Sequence, residues 1–254
     1  MQIFFLAFWI IYLFMIGATF ASFFNVVGIR SADHVSLNRR SQCPKCNNTL
    51  RWVDIIPIFG YLINRGKCHF CKQKIHIKYL LIEIFGGLSF VLSFLVTGFI
   101  KLDMNYDFNS EKIILLIMYL LLVSLIMIIV VSFYEHKVIL SKVPYVFAPV
   151  LIILSVFAGN FKWSMIGMGV CVLCTIIISY FDKKTVKYIL YAASMGVVLG
   201  LFGTALMISI ALVLTLVIKL CKKQPIFLYY ASMACVISLF TSPYLYTVFT
   251  NLIG

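Results

Sequence analysis

Four cysteines form two closely spaced pairs, Cys43 with Cys46 and Cys68 with Cys71. Each pair has the Cys-x-x-Cys spacing, and two such pairs can place four thiolates tetrahedrally around a zinc ion. We therefore predict a structural zinc site, because four protein ligands leave no open position for catalysis. Two disulfides and four free thiols are the alternatives, and a reducing compartment disfavours the disulfides.

Acidic residues are scarce, and three of the eight stand at those ends of long apolar segments that we predict to face the cytoplasm. These three are Glu83, Glu135 and Asp182. An ionisable group inside or at the edge of a membrane span is costly, so it marks a functional site by default. The alternative for Glu135 and Asp182 is that each simply marks a hydrated helix end beside neighbouring lysines. We treat all three as candidate site residues.

The segments that carry these acids are too apolar for a soluble protein. Of the 254 residues, 63% are hydrophobic and 11% are charged, whereas a soluble domain is roughly one-half apolar and one-quarter charged. Because apolar stretches long enough to span a bilayer recur along the chain, we predict an all-α, polytopic membrane protein with about eight transmembrane helices. Seven is the alternative, since 188–218 could form one tilted helix. The predicted spans are 2–28, 79–100, 113–134, 143–159, 164–181, 186–201, 203–219 and 226–245.

The positive charges are distributed unevenly over the connections between these spans. The chain carries 21 Lys and Arg and a formal net charge of +13, and alternate connections hold 18 and 3 of these cations. Cations collect in the cytoplasmic loops of membrane proteins. The loop 29–78, which holds the cysteine pairs, is therefore predicted to be cytoplasmic, with both termini outside. The basic charge reflects topology, so no nucleic-acid partner is implied.

These expectations divide the chain into three parts. Residues 1–28 form the first transmembrane helix, which we expect to be retained, because no Lys or Arg precedes its apolar core as in a cleaved signal peptide. Residues 29–78 form a small zinc-binding loop domain. Residues 79–254 form a multi-helix membrane domain embedded in the lipid bilayer.

Between Gly17 and Gly87 the chain carries several motifs in a fixed order and spacing. They are Ser22-Phe-Phe-Asn25, Cys43-Pro-Lys-Cys46, Trp52-Val-Asp54-Ile-Ile-Pro57, Arg65-Gly-Lys-Cys68-His-Phe-Cys71 and Tyr79-Leu-Leu-Ile-Glu83. This stretch resembles the N-terminal domain of the bacterial type IV prepilin peptidases, which are bifunctional leader peptidases and N-methyltransferases.

The resemblance implies an intramembrane aspartyl protease in the bacterial cytoplasmic membrane. Such an enzyme cleaves the basic leader of type IV pilin-like or competence pseudopilin precursors at the cytoplasmic membrane face. Glu135 stands where the family has its first catalytic Asp, and Asp182 stands at the second motif without that motif's two glycines. The resemblance also implies methylation of the new N-terminus by S-adenosylmethionine, for which Glu83 is a candidate residue.

Two other functions fit the same sequence. A non-catalytic homologue would keep the zinc-binding domain and bind pilin-like helices as a membrane scaffold. A transporter fits less well, because the sequence shows neither paired broken helices with internal symmetry nor a charge in the middle of a span. Convergence of Glu135 and Asp182 at the inner membrane face would favour the peptidase, and a wide separation would favour the scaffold.

Overall fold

The computed structural model describes residues 2–33, 35–97, 109–136, 143–159, 161–181 and 189–220, together with 234–235 and 237–238. Within these ranges the regular elements are all helices, and two isolated β-bridges lie in the loop after the first helix. The all-α prediction is confirmed for this part of the chain. The helices are α1 (Gln2–Ala32), α2 (Trp52–Ile55), α3 (Phe59–Ile63), α4 (Lys78–Val96), α5 (Ser110–His136), α6 (Pro144–Phe157), α7 (Phe161–Phe181) and α8 (Ile189–Leu220).

Three of these helices are long and apolar enough to cross a membrane. They contain the spans Leu6–Ser31 in α1, Lys78–Val96 in α4 and Ser110–Ser132 in α5. Three further apolar helices in the described ranges are shorter: Pro144–Phe157, Phe161–Ile177 and Ile189–Leu201. The count of eight spans stays a prediction, and most of its last span, 226–245, lies outside the described residues.

The predicted spans 186–201 and 203–219 form one long element, α8, that is interrupted at Gly200. This glycine has φ 61° and ψ −170°, which is not a helical conformation, and only glycine adopts it at little cost. The helix therefore changes direction at the residue where the sequence suggested a break between two spans. The sequence left one helix or two as alternatives, and the structure shows two helical stretches joined directly at a kink, so both alternatives stay open.

Helices α1 and α4 pack closely through small residues. A Cβ atom added to Gly17 of α1 would lie 2.7 Å from the carbonyl oxygen of Gly86 in α4, and one added to Gly86 would collide with Ala21. Small side chains let two helix backbones approach in the way that membrane helices commonly associate. This contact fixes the end of α1 beside the start of α4, on either side of the loop domain.

Helix α5 lies at the centre of the core, where its side chains Leu122, Leu125 and Ile129 are fully buried at 0% exposure. Its C-terminal half passes the end of α1, since a Cβ added to Gly28 would lie 3.1 Å from Cγ1 of Val131. Its N-terminal end lies near the α6–α7 turn, where a Cβ on Gly159 would be 3.6 Å from Oε1 of Glu111. The C-terminal end of α5 therefore lies at the end of the bundle that carries the loop domain.

Candidate zinc site and adjoining cavity

Both cysteine pairs lie on backbone turns of the same geometry. The N–H of Asn47 donates to the carbonyl of Cys43 at 2.9 Å, and the N–H of Lys72 donates to the carbonyl of Cys68 at 3.0 Å. Asn47 and Lys72 have φ values of 55° and 57°, a left-handed conformation that is uncommon for residues other than glycine. The same turn thus occurs at each pair. The two thiols of each pair lie next to the two thiols of the other pair.

The four thiols form one compact cluster. The Sγ atoms of Cys43, Cys46, Cys68 and Cys71 all lie within 4.8 Å of one another, and those of Cys43 and Cys71 are 4.0 Å apart. Zinc–sulfur bonds of about 2.3 Å in a tetrahedron require sulfur atoms about 3.8 Å apart. The donor set and its spacing fit a closed zinc site with four cysteine ligands, as the sequence predicted, and none of the four is in a disulfide.

The thiols differ in how readily they ionise. Burial raises the pKa of Cys43, but hydrogen bonds from the backbone N–H groups of Cys46 and Lys45 outweigh burial and lower it to about 7. The pKa of Cys71 is raised to about 11, because desolvation and the neighbouring thiols outweigh the N–H of Gln73, which lowers it. Metal ligation needs thiolates, so the lowered pKa of Cys43 favours ligation by this thiol.

An ion pair beside the cluster holds the two short helices of the loop in place. Nη2 of Arg51 lies 2.9 Å from Oδ1 of Asp54, and the amide nitrogen of Asn64 donates to the same oxygen at 2.9 Å. These hydrogen bonds, that from Arg51 above all, lower the pKa of Asp54 to about 2 although burial opposes them. Asp54 therefore joins the start of α2 to the residue that follows α3.

Glu83 lies in the second turn of α4 and reaches back to the loop domain. Its Oε2 atom accepts a hydrogen bond of 2.7 Å from the backbone N–H of Ile58, and the side chain of Ser22 interacts with the same carboxylate. Ile58 has φ 65°, an unfavourable value for a β-branched residue. The carboxylate therefore helps to hold a strained turn between α2 and α3.

A cavity of about 350 Å³ lies between the last turns of α1, the first turns of α4 and the loop domain. Cys43 and Cys68 line it on the loop side, and Glu83 lines it on the α4 side. Asn25 of α1 also lines the cavity and is only 7% exposed. Its Oδ1 atom has no hydrogen-bond partner among the described residues.

The N-terminal part of the chain matches a known family. Residues 15–97 match the model of the bacterial peptidase A24 N-terminal domain. This stretch is similar to that domain and makes up about a third of the chain. It contains the cysteine cluster, Glu83 and the cavity.

Several curated proteins named prepilin leader peptidase/N-methyltransferase are similar to the same region. The protein from Myxococcus xanthus is 37% identical over 81 residues, which is 32% of this chain and 24% of that protein. The protein from Vibrio cholerae is 32% identical over 96 residues, covering 34% of this chain and 38% of its own. The protein from Klebsiella pneumoniae is 38% identical over 92 residues, which is 34% of this chain and 40% of that protein. The chain thus matches two fifths of each relative's length or less, and no solved structure matches it.

The three candidate acids differ in how far the structure describes them. Glu83 is described in full and lies in the stretch that matches the A24 model, in contact with the loop domain. The backbone of Glu135 is in the last turn of α5, which ends at His136, but its side chain lies outside the described residues. Asp182 follows the last residue of α7, Phe181, and is itself outside the described residues. The separation of the two carboxylates therefore stays untested.

Sequence reasoning did not single out Asn25 or Ile58. Asn25 could have been noticed as a polar amide inside an otherwise apolar span. The hydrogen bond from Ile58 to Glu83 joins residues far apart in the chain, so no local pattern indicates it. Both residues do fall within or beside the motifs that carry the family resemblance.

Proposed function

We propose that this chain is a prepilin leader peptidase of the bacterial cytoplasmic membrane. The observation that carries the proposal is the A24 domain at residues 15–97, whose relatives are named prepilin leader peptidase/N-methyltransferase. The substrates would be precursors of type IV pilins or competence pseudopilins. The cysteine-bearing loop would face the cytoplasm, in agreement with the uneven distribution of Lys and Arg.

Glu135 and Asp182 are proposed as the carboxylate pair that cleaves the leader. In an aspartyl-type site, one carboxylate takes a proton from water while the water oxygen attacks the scissile carbonyl. The other carboxyl group then gives its proton to the amide nitrogen as the C–N bond breaks. Two adjacent carboxylates share one proton because both cannot ionise at short range. The predicted topology supports the pair, because spans that alternate across the membrane would bring the connections after α5 and α7 to the same membrane face.

The four cysteines would hold zinc, which supplies a rigid cross-link between the two turns of the loop. A small domain with few buried side chains gains much of its folding free energy from such a metal. The cluster therefore keeps Arg51, Asp54 and the strained turn at Ile58 in position beside α4. This role is structural, since four thiolates leave no open coordination position.

N-methylation of the new N-terminus is proposed as a second activity, with S-adenosylmethionine as the donor of an electrophilic methyl group. The amino-acid end of S-adenosylmethionine carries an ammonium and a carboxylate. Glu83 and the amide oxygen of Asn25 could accept hydrogen bonds from the ammonium, and lysines at the cavity rim could pair with the carboxylate. These lining residues support the proposal.

The experiment that tests the peptidase is incubation of the full-length chain, in detergent or liposomes, with a prepilin-like precursor. The precursor should carry a basic leader that ends at Gly, followed by an apolar helix. We expect release of the leader, measured as a mass loss of the precursor. Failure with every precursor tried, under conditions where a named relative cleaves them, would favour the alternative of a pilin-binding scaffold.

A further inference from the structure

The cavity beside the cysteine cluster is lined by two residues whose side chains carry hydrogen-bond acceptors. One is the carboxylate of Glu83 on α4, and the other is the amide oxygen of Asn25 on α1. Ser22 lies one helical turn before Asn25 and also lines the cavity. The two helices therefore both contribute acceptor-bearing residues to the lining of this cavity.

The acceptor on Asn25 is unsatisfied. The side chain is 7% exposed, and its Oδ1 atom has no hydrogen-bond partner in the part of the chain that the structure describes. A buried amide oxygen without a donor costs about 1–3 kcal/mol. Such groups are rare in native proteins and call for a physical reason. A bound donor in the cavity would provide it.

The carboxylate of Glu83 has room for a further donor. It accepts hydrogen bonds from the backbone N–H of Ile58 and from the side chain of Ser22, whereas a carboxylate offers about four acceptor positions. Within the described ranges no Lys or Arg forms an ion pair with it. A half-buried carboxylate of this kind favours a cation, because an opposite charge offsets the cost of removing it from water.

The basic residues that line the same cavity do not neutralise Glu83. The guanidinium of Arg30 donates to the backbone carbonyls of Leu37 and Arg39, and so it is already engaged. Three lysines also line the cavity on the loop side: Lys45, Lys67 and Lys74. Their charge favours a ligand that carries an anionic group as well as a cationic one.

We propose that this cavity binds the primary ammonium group of a ligand, with Glu83 as its counter-ion and the Asn25 amide oxygen as a second acceptor. An ammonium group has three N–H donors, which fits two acceptors on two helices. Two ligands could supply it: a peptide with a free N-terminus, or the amino-acid end of an S-adenosyl compound. The choice of these two ligands rests on the proposed function, whereas the binding of an ammonium group does not.

Binding is measured by calorimetry with the full-length, zinc-containing protein in detergent. Two matched pairs of probes separate the two sources of the ammonium. The first pair is the peptide Leu-Ala-Glu-amide and its N-acetylated form. The second pair is S-adenosylhomocysteine and 5′-methylthioadenosine, which lacks the amino-acid end. We expect the amine-bearing member of at least one pair to bind at least about tenfold more tightly than its partner, the value of one charge-assisted hydrogen bond.

Substitutions then connect the binding to the two acceptors. Glu83→Gln and Asn25→Leu should each weaken binding of the amine probe by about tenfold or more, whereas Asn25→Asp should keep or strengthen it. Glu111→Gln makes the same chemical change at the far end of α5 and should have no effect. The zinc content of each variant shows whether its loop domain is folded, so loss of binding with retained zinc supports the proposal.

The proposal is overturned if no probe binds, or if both members of each pair bind equally. It is also overturned if folded Glu83→Gln and Asn25→Leu bind the amine probe as tightly as the unaltered protein does. No cleavage or methyl transfer is involved in these measurements. A chain that fails the leader-cleavage assay can therefore still pass this test, and the reverse also holds.

Discussion

The backbone N–H of Ile58 donates to Oε2 of Glu83 at 2.7 Å, and this bond joins the cysteine-bearing loop to the helix that follows it. Ile58 has a positive φ of 65°, so the turn needs support from its surroundings. Glu83 supplies part of that support from a position inside an apolar helix. The same carboxylate therefore has a structural contact with the loop and an open side towards the cavity.

Glu83→Ala should destabilise the folded chain more than Glu83→Gln. Alanine leaves the N–H of Ile58 without its acceptor, at a cost of about 1–3 kcal/mol, whereas the amide oxygen of glutamine can still accept the bond. Thermal unfolding of the purified chain in detergent checks this order. Equal stability of Glu83→Ala and the unaltered protein would show that the bond contributes nothing.

The cysteine cluster should hold one zinc ion per chain. The double substitution of Cys43→Ser with Cys68→Ser removes one ligand from each turn and should abolish stoichiometric zinc. Cys174→Ser, at a thiol outside the cluster, should leave the zinc content unchanged. Metal analysis of the purified proteins decides between these outcomes, and full zinc retention in the double variant would contradict the assignment.

Asp54 should make stability depend on pH in the acid range. Its pKa is about 2 in the folded chain against about 3.9 for an unfolded Asp. A lowered pKa stabilises the fold above the unfolded value, and this contribution is lost as the pH falls from about 4 towards 2.

Asp54→Asn removes this titration, so its unfolding temperature should fall less than that of the unaltered protein between about pH 5 and pH 3. Comparing the two proteins cancels the effects of other groups that are protonated over the same range. Parallel curves for the two proteins would show that the pair with Arg51 does not stabilise the loop.

The loop 29–78 should face the cytoplasm. A single cysteine placed at Asn48 should resist membrane-impermeant reagents in intact cells and react after the cells are opened, provided that the chain stays folded. Because Asn48 lies next to the metal ligands, a second labelling site at exposed Ser36 controls for local protection. External labelling at both positions would reverse the predicted orientation.

The cysteine cluster could be predicted from sequence because its signal is local: two identical spacings produce two identical turns. The first span and the start of α4 were also predictable, since length and hydropathy determine them. The sequence left the break near Gly200 open, because a glycine permits a kink without requiring one. The cavity and the unsatisfied oxygen of Asn25 depend on how α1, α4 and the loop pack, which no single stretch of sequence encodes.

The central claim is that Glu135 and Asp182 cleave prepilin leaders, and it is tested most directly by leader release with three variants of the full-length chain. Glu135→Gln and Asp182→Asn should each lower the cleavage rate by at least about 100-fold, since each removes a group that transfers a proton. Glu135→Asp should remain active, because it restores the residue of the family motif. Cleavage that survives both neutralising substitutions would contradict the account and would place the catalytic acids elsewhere.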